Sequence, residues 1–276
     1  MKNLILKILY SVIGEINSNQ LRVIIFHNIE NNQEEKFEKL IKKLKETWNI
    51  ITPSEFKDLT VNNNINIKKK NILITFDDGY KSQKIITEKY LDPLNIKALF
   101  FIVSDFIKLK TKNEAHNFIR KNFYKEERSE LILDENTLNM SQEDIQELIS
   151  NGHSIGGHTG THAELSKIKN NNMFLDEIIN SSLRLENIIQ NYKIEDFAYT
   201  FGDLESIDEK STKAILKNYK YLYSGLRGNN LNLNSKIIRR DAISLTEPFE
   251  VISAYLNGYT DFIYKTKIKK LEKWKL

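Results

Sequence analysis

The chain of 276 residues contains no cysteine, and this absence narrows the chemistry open to it. Disulfide bonds, thiolate metal sites and a cysteine nucleophile are excluded, so any metal must be held by histidine and carboxylate. Proline and glycine are also scarce, at 3 and 10 residues. No linker rich in these residues divides the chain, and a hydrophobic content of 40% suffices for a large core. We therefore predict one domain spanning residues 1–276.

The chain also lacks a strong excess of charge and a long hydrophobic run. Its 41 Lys and Arg against 37 Asp and Glu give a net charge of +4, too mild and dispersed for nucleic acid. No run of about 18 apolar residues is present, so no membrane span is predicted. The first twenty residues contain Lys7 and Glu15 and no small-residue cleavage site, which favours an amphipathic helix over a signal peptide. A cytoplasmic location is the simplest expectation.

Short β-branched runs alternate with longer helical patterns along the chain. The predicted strands are residues 21–27, 71–76 and 97–103, with weaker candidates at 153–155, 196–199, 221–224 and 237–243. The predicted helices are residues 34–47, 82–90, 142–151, 172–190 and 206–218. Ser141 followed by Asp144 is typical of a capping box, and the polar run 62–70 is predicted to be a loop. This order predicts an α/β fold with a parallel sheet, open or closed into a barrel, whose chemistry gathers at the C-terminal strand ends.

Two adjacent carboxylates, Asp77 and Asp78, follow the strand predicted at residues 71–76, and Gly79 comes next. Adjacent carboxylates resist joint ionisation unless a cation lies nearby. Gly79 permits a sharp turn that brings both side chains to one pocket. Taken alone, the motif is equally typical of an ordinary Asp-Gly turn with solvated carboxylates.

Three of the five histidines fall within the segment 152–162. His158 and His162 are four residues apart, so on a helical turn both imidazoles would lie on one face and grip a single ion. A pair of ordinary surface or core histidines is the alternative for this motif alone. His153 is predicted to be structural, and His116, in a charged stretch, to be a solvated surface residue. Two histidines and one aspartate with open positions form a catalytic metal arrangement suited to ionising water.

These motifs resemble those of the polysaccharide deacetylases, also called NodB-homology proteins or family 4 carbohydrate esterases. Residues 75–79 (TFDDG) are similar to the first motif of the family, and residues 152–162 (GHSIGGHTGTH) to the second. Residues 197–202 (FAYTFG) resemble the third, in which proline usually stands at the position of Thr200. The resemblance covers residues 23–261. It implies a distorted, incomplete (β/α) barrel and hydrolysis of N-acetyl groups on glycans.

The resemblance also implies roles for individual residues. Asp78, His158 and His162 would hold one divalent transition metal ion, by default Zn²⁺, with Co, Ni, Mn and Fe as alternatives. Asp77 would be the general base. The backbone N–H of Phe201 would contribute to the oxyanion hole, and the loss of the usual proline before it removes a fixed φ angle.

The chain departs from the family pattern in its general acid. The late motif of the family carries a histidine, whereas no histidine follows His162 here. Amide hydrolysis needs an acid because an amine anion is a very poor leaving group. His27, at the end of the first predicted strand, resembles the early Tyr-His of members whose late motif is permuted to the N-terminus. We predict that His27 is the substitute; a buried, hydrogen-bonded histidine is the alternative.

In this family an arginine beside the base aspartate keeps that carboxylate ionised and oriented. Arg240 is assigned this role, because Arg240-Asp241 resembles a late motif of the permuted group. Strand alternation lets only one of Arg239 and Arg240 face the pocket. Arg227 and Arg239 are the alternatives, and an ordinary surface salt bridge is the other interpretation.

The segment 264–276 combines six lysines with apolar residues at helical spacing. We predict a final helix that covers the barrel with its lysines in water. Peripheral contact with an anionic membrane, within reach of a lipid-linked glycan, is the alternative.

The predicted reaction is hydrolysis of an N-acyl group, most simply acetyl, from an amino sugar or glycan, with surface-polysaccharide biosynthesis as the expected setting. A deformylase of a lipid-linked formamido sugar is the nearest alternative, and a metal-free relative that cleaves cyclic amides is another. A silent glycan-binding module represents a different class. The intact set Asp77, Asp78, His158 and His162 favours an enzyme, because a binder needs no metal site with a base beside it. Residues 104–139 carry no recognisable pattern and are expected to shape substrate choice.

Overall fold

The computed structural model describes residues 2–14, 19–61, 69–231, 233 and 235–275. The loop predicted at 62–70 lies outside this part of the chain apart from its last two residues. The described strands are β1 (Gln20–Phe26), β2 (Asn49–Ile50), β3 (Lys70–Asp78), β4 (Leu99–Ile102), β5 (Ser154–Gly157), β6 (Asp196–Ala198), β7 (Tyr221–Tyr223), β8 (Ile237–Ile238) and β9 (Asp241–Ala242). The described α-helices are α1 (Lys2–Ile13), α2 (Glu34–Thr47), α3 (Pro53–Val61), α4 (Lys81–Ile86), α5 (Lys112–Asn122), α6 (Gln142–Ser150), α7 (Asn171–Leu175), α8 (Ser181–Ile188), α9 (Glu209–Asn218), α10 (Phe249–Leu256) and α11 (Asp261–Lys273).

The strands form one sheet in the order β8-β7-β6-β5-β4-β3-β1-β9, and β2 pairs with β3. Every pairing between these strands is parallel, as expected where helical crossovers join them. The sheet curls into an incomplete barrel surrounded by helices. This confirms the predicted fold class.

Side chains of the central strands alternate between two layers. On β3, Ile72 and Ile74 lie in the large cluster shared with the outer helices, while Leu73 lies in the smaller cluster inside the barrel. Because the side-chain period of a strand is two, Thr75 and Asp77 follow Leu73 toward the interior. The hydrophobic pattern of β3 therefore places Asp77 at the C-terminal mouth of the barrel.

Several element predictions are confirmed and others need correction. The helix predicted at 34–47 matches α2, and the capping box of Ser141 and Asp144 opens α6. The helix predicted at 172–190 is α7 and α8, with a π-helical turn at Asp176–Asn180 between them. The strand predicted at 237–243 is split into β8 and β9 by residues 239 and 240, which belong to neither strand.

The prediction that His116 is a solvated surface residue is wrong. His116 lies on α5 beside the buried Ala115 and Ile119, and only 8% of its surface is exposed. The helix is amphipathic, so its charged residues occupy the outer face while His116 lies on the inner one.

The ends of the chain are helical. Helix α1 is observed where the amphipathic helix was predicted. Helix α11 buries Ile268 and Leu271 against the core, in keeping with a final helix that covers the barrel. None of the described helices has the length and hydrophobicity needed to cross a bilayer.

Candidate active site

A pocket of about 180 Å³ opens at the carboxyl ends of the central strands. Its lining comes from seven separate stretches of the chain, which the parallel sheet brings to one edge. All seven predicted site residues line it: His27, Asp77, Asp78, His158, His162, Phe201 and Arg240.

The backbone at the end of β3 explains how two adjacent aspartates reach the same pocket. Regular strand geometry would send Asp77 inward and Asp78 outward. Asp78, however, has a φ of 82°, and Gly79 follows with a φ of 96°. A positive φ is costly for a residue with a side chain and is found mostly at functional sites. The turn therefore begins at Asp78 itself, not only at Gly79 as the sequence indicated.

Asp78, His158 and His162 form a buried cluster that could hold a metal ion. Asp78 Oδ1 lies 3.5 Å from His158 Nε2 and 3.4 Å from His162 Nε2, and the three potential ligand atoms lie within 4.8 Å of one another. Asp78 Oδ1 is buried and has no hydrogen-bond partner among the described residues. An unsatisfied buried carboxylate oxygen is costly, whereas a cation between the three side chains would satisfy it. The donor set thus fits a divalent transition metal.

Both imidazoles are held by a backbone carbonyl on their far side. His158 Nδ1 lies 2.8 Å from the carbonyl oxygen of Ala198, and His162 Nδ1 lies 2.9 Å from that of Asn122. A carbonyl only accepts, so each Nδ1 carries a proton, and Nε2 is the nitrogen that each ring has left to bind an ion beside Asp78. This is the outer support typical of metal-binding histidines.

The loop that carries both histidines is not helical, so the predicted helical turn is wrong. Thr159 and His162 each have a φ of 65°, a left-handed backbone conformation that a right-handed helical turn does not contain. The buried carboxylate of Glu177 holds the loop by accepting hydrogen bonds from the N–H groups of Gly160 and Thr161, at 2.8 and 2.9 Å. A side chain at Gly160 would collide with Arg184, since its Cβ would lie 2.7 Å from Nη2. The loop geometry therefore depends on contacts outside the motif.

The electrostatics of the cluster favour positive charge at its centre. Burial opposes ionisation of Asp78, but the imidazoles outweigh it and lower the pKa of Asp78 to about 2. Burial lowers the pKa of His162 to about 4, so this ring is neutral near pH 7. Burial also acts on His158, but Asp77 and Asp78 outweigh it and raise the pKa of that imidazole. A neutral imidazole and an ionised carboxylate are the forms that bind metal.

Asp77 is fixed by a two-pronged ion pair with Arg240. The distances are 2.7 Å from Nη1 to Oδ1 and 2.9 Å from Nη2 to Oδ2. Arg240 is almost completely buried, and its guanidinium lies 4.9 Å from the ring centre of Phe101. Burial favours the neutral form of Asp77, but the charge of Arg240 outweighs it and lowers the pKa of this carboxyl. The pair keeps Asp77 ionised and fixes its orientation.

The two alternatives to Arg240, Arg227 and Arg239, contact residues other than Asp77. Arg239 contacts Glu272 of α11 at 2.9 Å, and Arg227 donates to the carbonyl of Ala242. Of the two consecutive arginines, Arg240 therefore pairs with Asp77 in the barrel interior and Arg239 does not, although neither residue belongs to a strand. An ordinary surface salt bridge is also ruled out, because the pair with Asp77 is buried.

His27 and Phe201 also line the pocket. His27 directly follows β1, and its side chain is exposed, so it is not the buried histidine of the alternative interpretation. Phe201 has a φ of 61°, and its ring packs edge-on against His162 at 4.8 Å between centres. No described residue accepts a hydrogen bond from the Phe201 N–H. Positioned at the pocket wall, that N–H is available to a ligand oxygen.

The turn at Phe201 keeps its shape without the usual proline. Thr200 Oγ1 donates to the carbonyl of Ala163 at 2.6 Å, and Tyr199 Oη donates to that of Gly202 at 2.7 Å. Gly202 also accepts a hydrogen bond from the N–H of Gly225 at 2.8 Å. A Cβ at Gly202 would lie 2.8 Å from the Cα of Gly225, so this close approach requires glycine. Side-chain hydrogen bonds thus replace the rigidity that proline would supply.

Some residues that shape the site carried no recognisable signal in the sequence. Asn122 acts through its carbonyl, and Phe123 packs edge-on against His162 at 4.9 Å. Glu177 lies 15 residues beyond His162, the end of the histidine motif, in an unremarkable helical run. His153 is placed outside the pocket: its Nδ1 accepts from the N–H of Ala98, and its Nε2 lies 3.0 Å from Asp92.

Two further pockets adjoin the first, and Tyr124 lines both of them. One, of about 500 Å³, shares His162 and Phe201 with the active-site pocket. The other, of about 370 Å³, shares His27 and Asp78 with it and is walled in part by residues 131–134. The cluster of Asp78, His158 and His162 therefore opens near the middle of a longer cleft.

Comparison with known structures places this architecture among deacetylases. The structure of IcaB from Ammonifex degensii has a TM-score of 0.64 at 18% identity, covering 88% of this chain and 99% of that one. The Streptococcus pyogenes deacetylase PplD in complex with acetate has a TM-score of 0.65 at 16% identity, covering 87% and 99%. A de-N-acetylase from Aggregatibacter actinomycetemcomitans has a TM-score of 0.63 at 14% identity, covering 86% and 100%. At such identities the likeness concerns the fold.

Sequence comparison supplies the family. No curated protein sequence gives a significant match. The polysaccharide deacetylase family model matches residues 64–223, which is more than half of the chain and includes both aspartates and both histidines of the cluster. The chain therefore belongs to the polysaccharide deacetylase family, whose members are hydrolases of the amide bond in N-acetyl groups.

Proposed function

We propose that this protein is a metal-dependent deacetylase that releases acetate from an N-acetylated amino sugar within a glycan. The observation that carries the proposal is the buried, unpartnered Asp78 Oδ1, which faces the Nε2 atoms of His158 and His162. A divalent ion held there would supply a Lewis acid that activates water and polarises the substrate carbonyl. The acetate in the structure of PplD and the long cleft around the cluster are in keeping with this substrate class.

The first half of the reaction is addition of water to the N-acetyl carbonyl carbon. Asp77 accepts the proton that the attacking water loses, since Arg240 keeps this carboxylate ionised and aimed at the pocket. As the carbonyl oxygen gains negative charge, the N–H of Phe201 donates a hydrogen bond to it. Arg240 positions the base without contacting the substrate.

The second half is cleavage of the C–N bond. His27 donates a proton to the amine nitrogen as that bond breaks, so the leaving group departs as a neutral amine. The products are acetate and a free amino sugar. An exposed imidazole at the pocket mouth suits this step, because it exchanges protons with solvent between turnovers.

The direct test is an assay of acetate and free amine with N-acetylated amino-sugar oligosaccharides. We expect the two products in equal amounts, loss of turnover after chelation, and recovery when Zn²⁺ or another divalent transition ion is added back. The N-formyl analogues serve as the matched comparison. Undiminished turnover in metal-free protein would refute the metal dependence, and faster release of formate than of acetate would refute the acetyl assignment.

The role of His27 predicts an effect that depends on the leaving group. We expect His27→Gln to slow release of the sugar amine by about 10²-fold. Hydrolysis of an activated acetyl ester, whose leaving group needs no proton, should change little. The side chain is exposed, so the variant should retain its fold and bound metal. Equal losses of rate on both substrates would move the acid elsewhere.

A further inference from the structure

Helix α1 presents an unusual number of large apolar side chains to solvent. Within its 12 residues, the exposed fraction is 62% for Leu4, 54% for Ile8 and 79% for Val12. Three further aliphatic side chains of the helix are also exposed: Ile5, Leu9 and Ile13. A contiguous apolar patch of this kind on a protein surface marks an interaction site.

The opposite face of α1 packs against the rest of the domain. Leu6 is buried against Val251, Ala254 and Tyr255 of α10. Tyr259 fastens the end of α1, because its Oη donates to the carbonyl of Gly14 at 2.9 Å. The buried side is thus already occupied, and the remaining apolar residues face outward as part of a fixed surface.

Exposed apolar side chains also occur at the start of α11, just after Tyr259, whose ring packs against Tyr10 of α1. Phe262 and Ile263, three and four residues beyond Tyr259, are 66% and 52% exposed. The rest of the exposed side of α11 is basic, with Lys265, Lys269, Lys270 and Lys273. The two acidic residues of α11 are engaged elsewhere, by Arg22 and Arg239.

We propose that α1 and the first turn of α11 form a membrane-docking face that lies on an anionic lipid surface. Helices that lie in the plane of the membrane interface typically combine apolar side chains with basic neighbours. The two acidic residues of α11 are paired with arginines, so this composition fits the exposed face. Helix α1 has no acidic residue and measures about 18 Å, too short for the roughly 30 Å hydrocarbon core, so it lies flat. A second copy of the chain is a poorer occupant, because the same lysines would face each other across the contact.

The test is co-sedimentation of the full chain with phosphatidylcholine vesicles and with vesicles that also contain phosphatidylglycerol. We expect binding to the anionic vesicles to exceed binding to the neutral ones by about tenfold, and Ile8→Asp/Val12→Asp to reduce it by a similar factor. Leu183→Asp is the matched control, since Leu183 is 46% exposed on α8. It should bind like the wild type.

Three results would overturn the proposal: no binding to either vesicle, equal binding to both, or equal loss with the Leu183→Asp control. Analytical ultracentrifugation of the same proteins tests whether a second copy of the chain occupies this face instead. A wild-type dimer that Ile8→Asp/Val12→Asp converts to a monomer would assign the face to a contact between copies. Circular dichroism should be unchanged in all variants, because the substituted side chains are exposed.

Discussion

Asp77→Asn should lower turnover by about 10³-fold while the protein keeps its bound metal. The carboxamide cannot take the proton of the attacking water, whereas the proposed metal ligands are Asp78, His158 and His162. The oxygens of Asp77 instead face Arg240. Turnover on an N-acetylated oligosaccharide and metal content by mass spectrometry are the two measurements.

The substitution also removes the partner of a buried arginine, and this alone should lower the free energy of unfolding. Asp241→Asn is the matched control, because Asp241 is a fully buried aspartate paired with Arg22 on the outer side of the sheet. It should lose stability but keep turnover within a few-fold of the wild type. If Asp77→Asn were as active as Asp241→Asn, Asp77 would not be the base.

His158→Ala should abolish metal binding and, with it, turnover. Loss of an outer-sphere partner already costs about 10- to 100-fold in metal affinity, so loss of a ligand should exceed that range. Titration of the metal-free protein with Zn²⁺ in the presence of a chromogenic chelator measures the affinity directly. Bound metal should also raise the Tm of the wild type but not of the variant.

His153→Ala is the control for this experiment, five residues earlier in the same motif. His153 is also buried, but its nitrogens engage Ala98 and Asp92 rather than Asp78. Its loss should reduce stability by about 1–3 kcal/mol through the unsatisfied hydrogen bonds and leave the Zn²⁺ affinity unchanged. Retention of one ion per chain by His158→Ala would exclude the proposed cluster.

The sequence indicated the sheet and the polar cluster because both depend on residue type. The apolar, β-branched run of β3 predicted a strand, and the two motifs supplied closely spaced aspartates and histidines able to bind a metal in a chain without cysteine. Parallel topology then brought the strand ends together. Arg240 was chosen over Arg239 because Arg240-Asp241 resembles a late motif of the permuted group; alternation implied only that one of the two arginines would face the pocket.

Other features left no local pattern to interpret. Ala198 and Asn122 contribute carbonyl oxygens, which every residue has, so their sequence identity is uninformative. Strands of two residues, such as β8 and β9, are too short for periodicity to appear. The twist of the loop between His158 and His162 depends on Glu177, a contact that only the folded chain creates.

The hydrogen bond from His162 to the carbonyl of Asn122 links the orientation of this imidazole to the segment that lines part of the cleft. Asn122 is the last residue of α5, within the segment 104–139. Residues 131–134 of the same segment form part of one wall of the cleft. We propose that this stretch shapes substrate choice, and its exchange for that of a relative would then also disturb the carbonyl that orients a proposed metal ligand. Variants of this enzyme with an exchanged segment should therefore be screened for metal binding as well as for substrate selectivity.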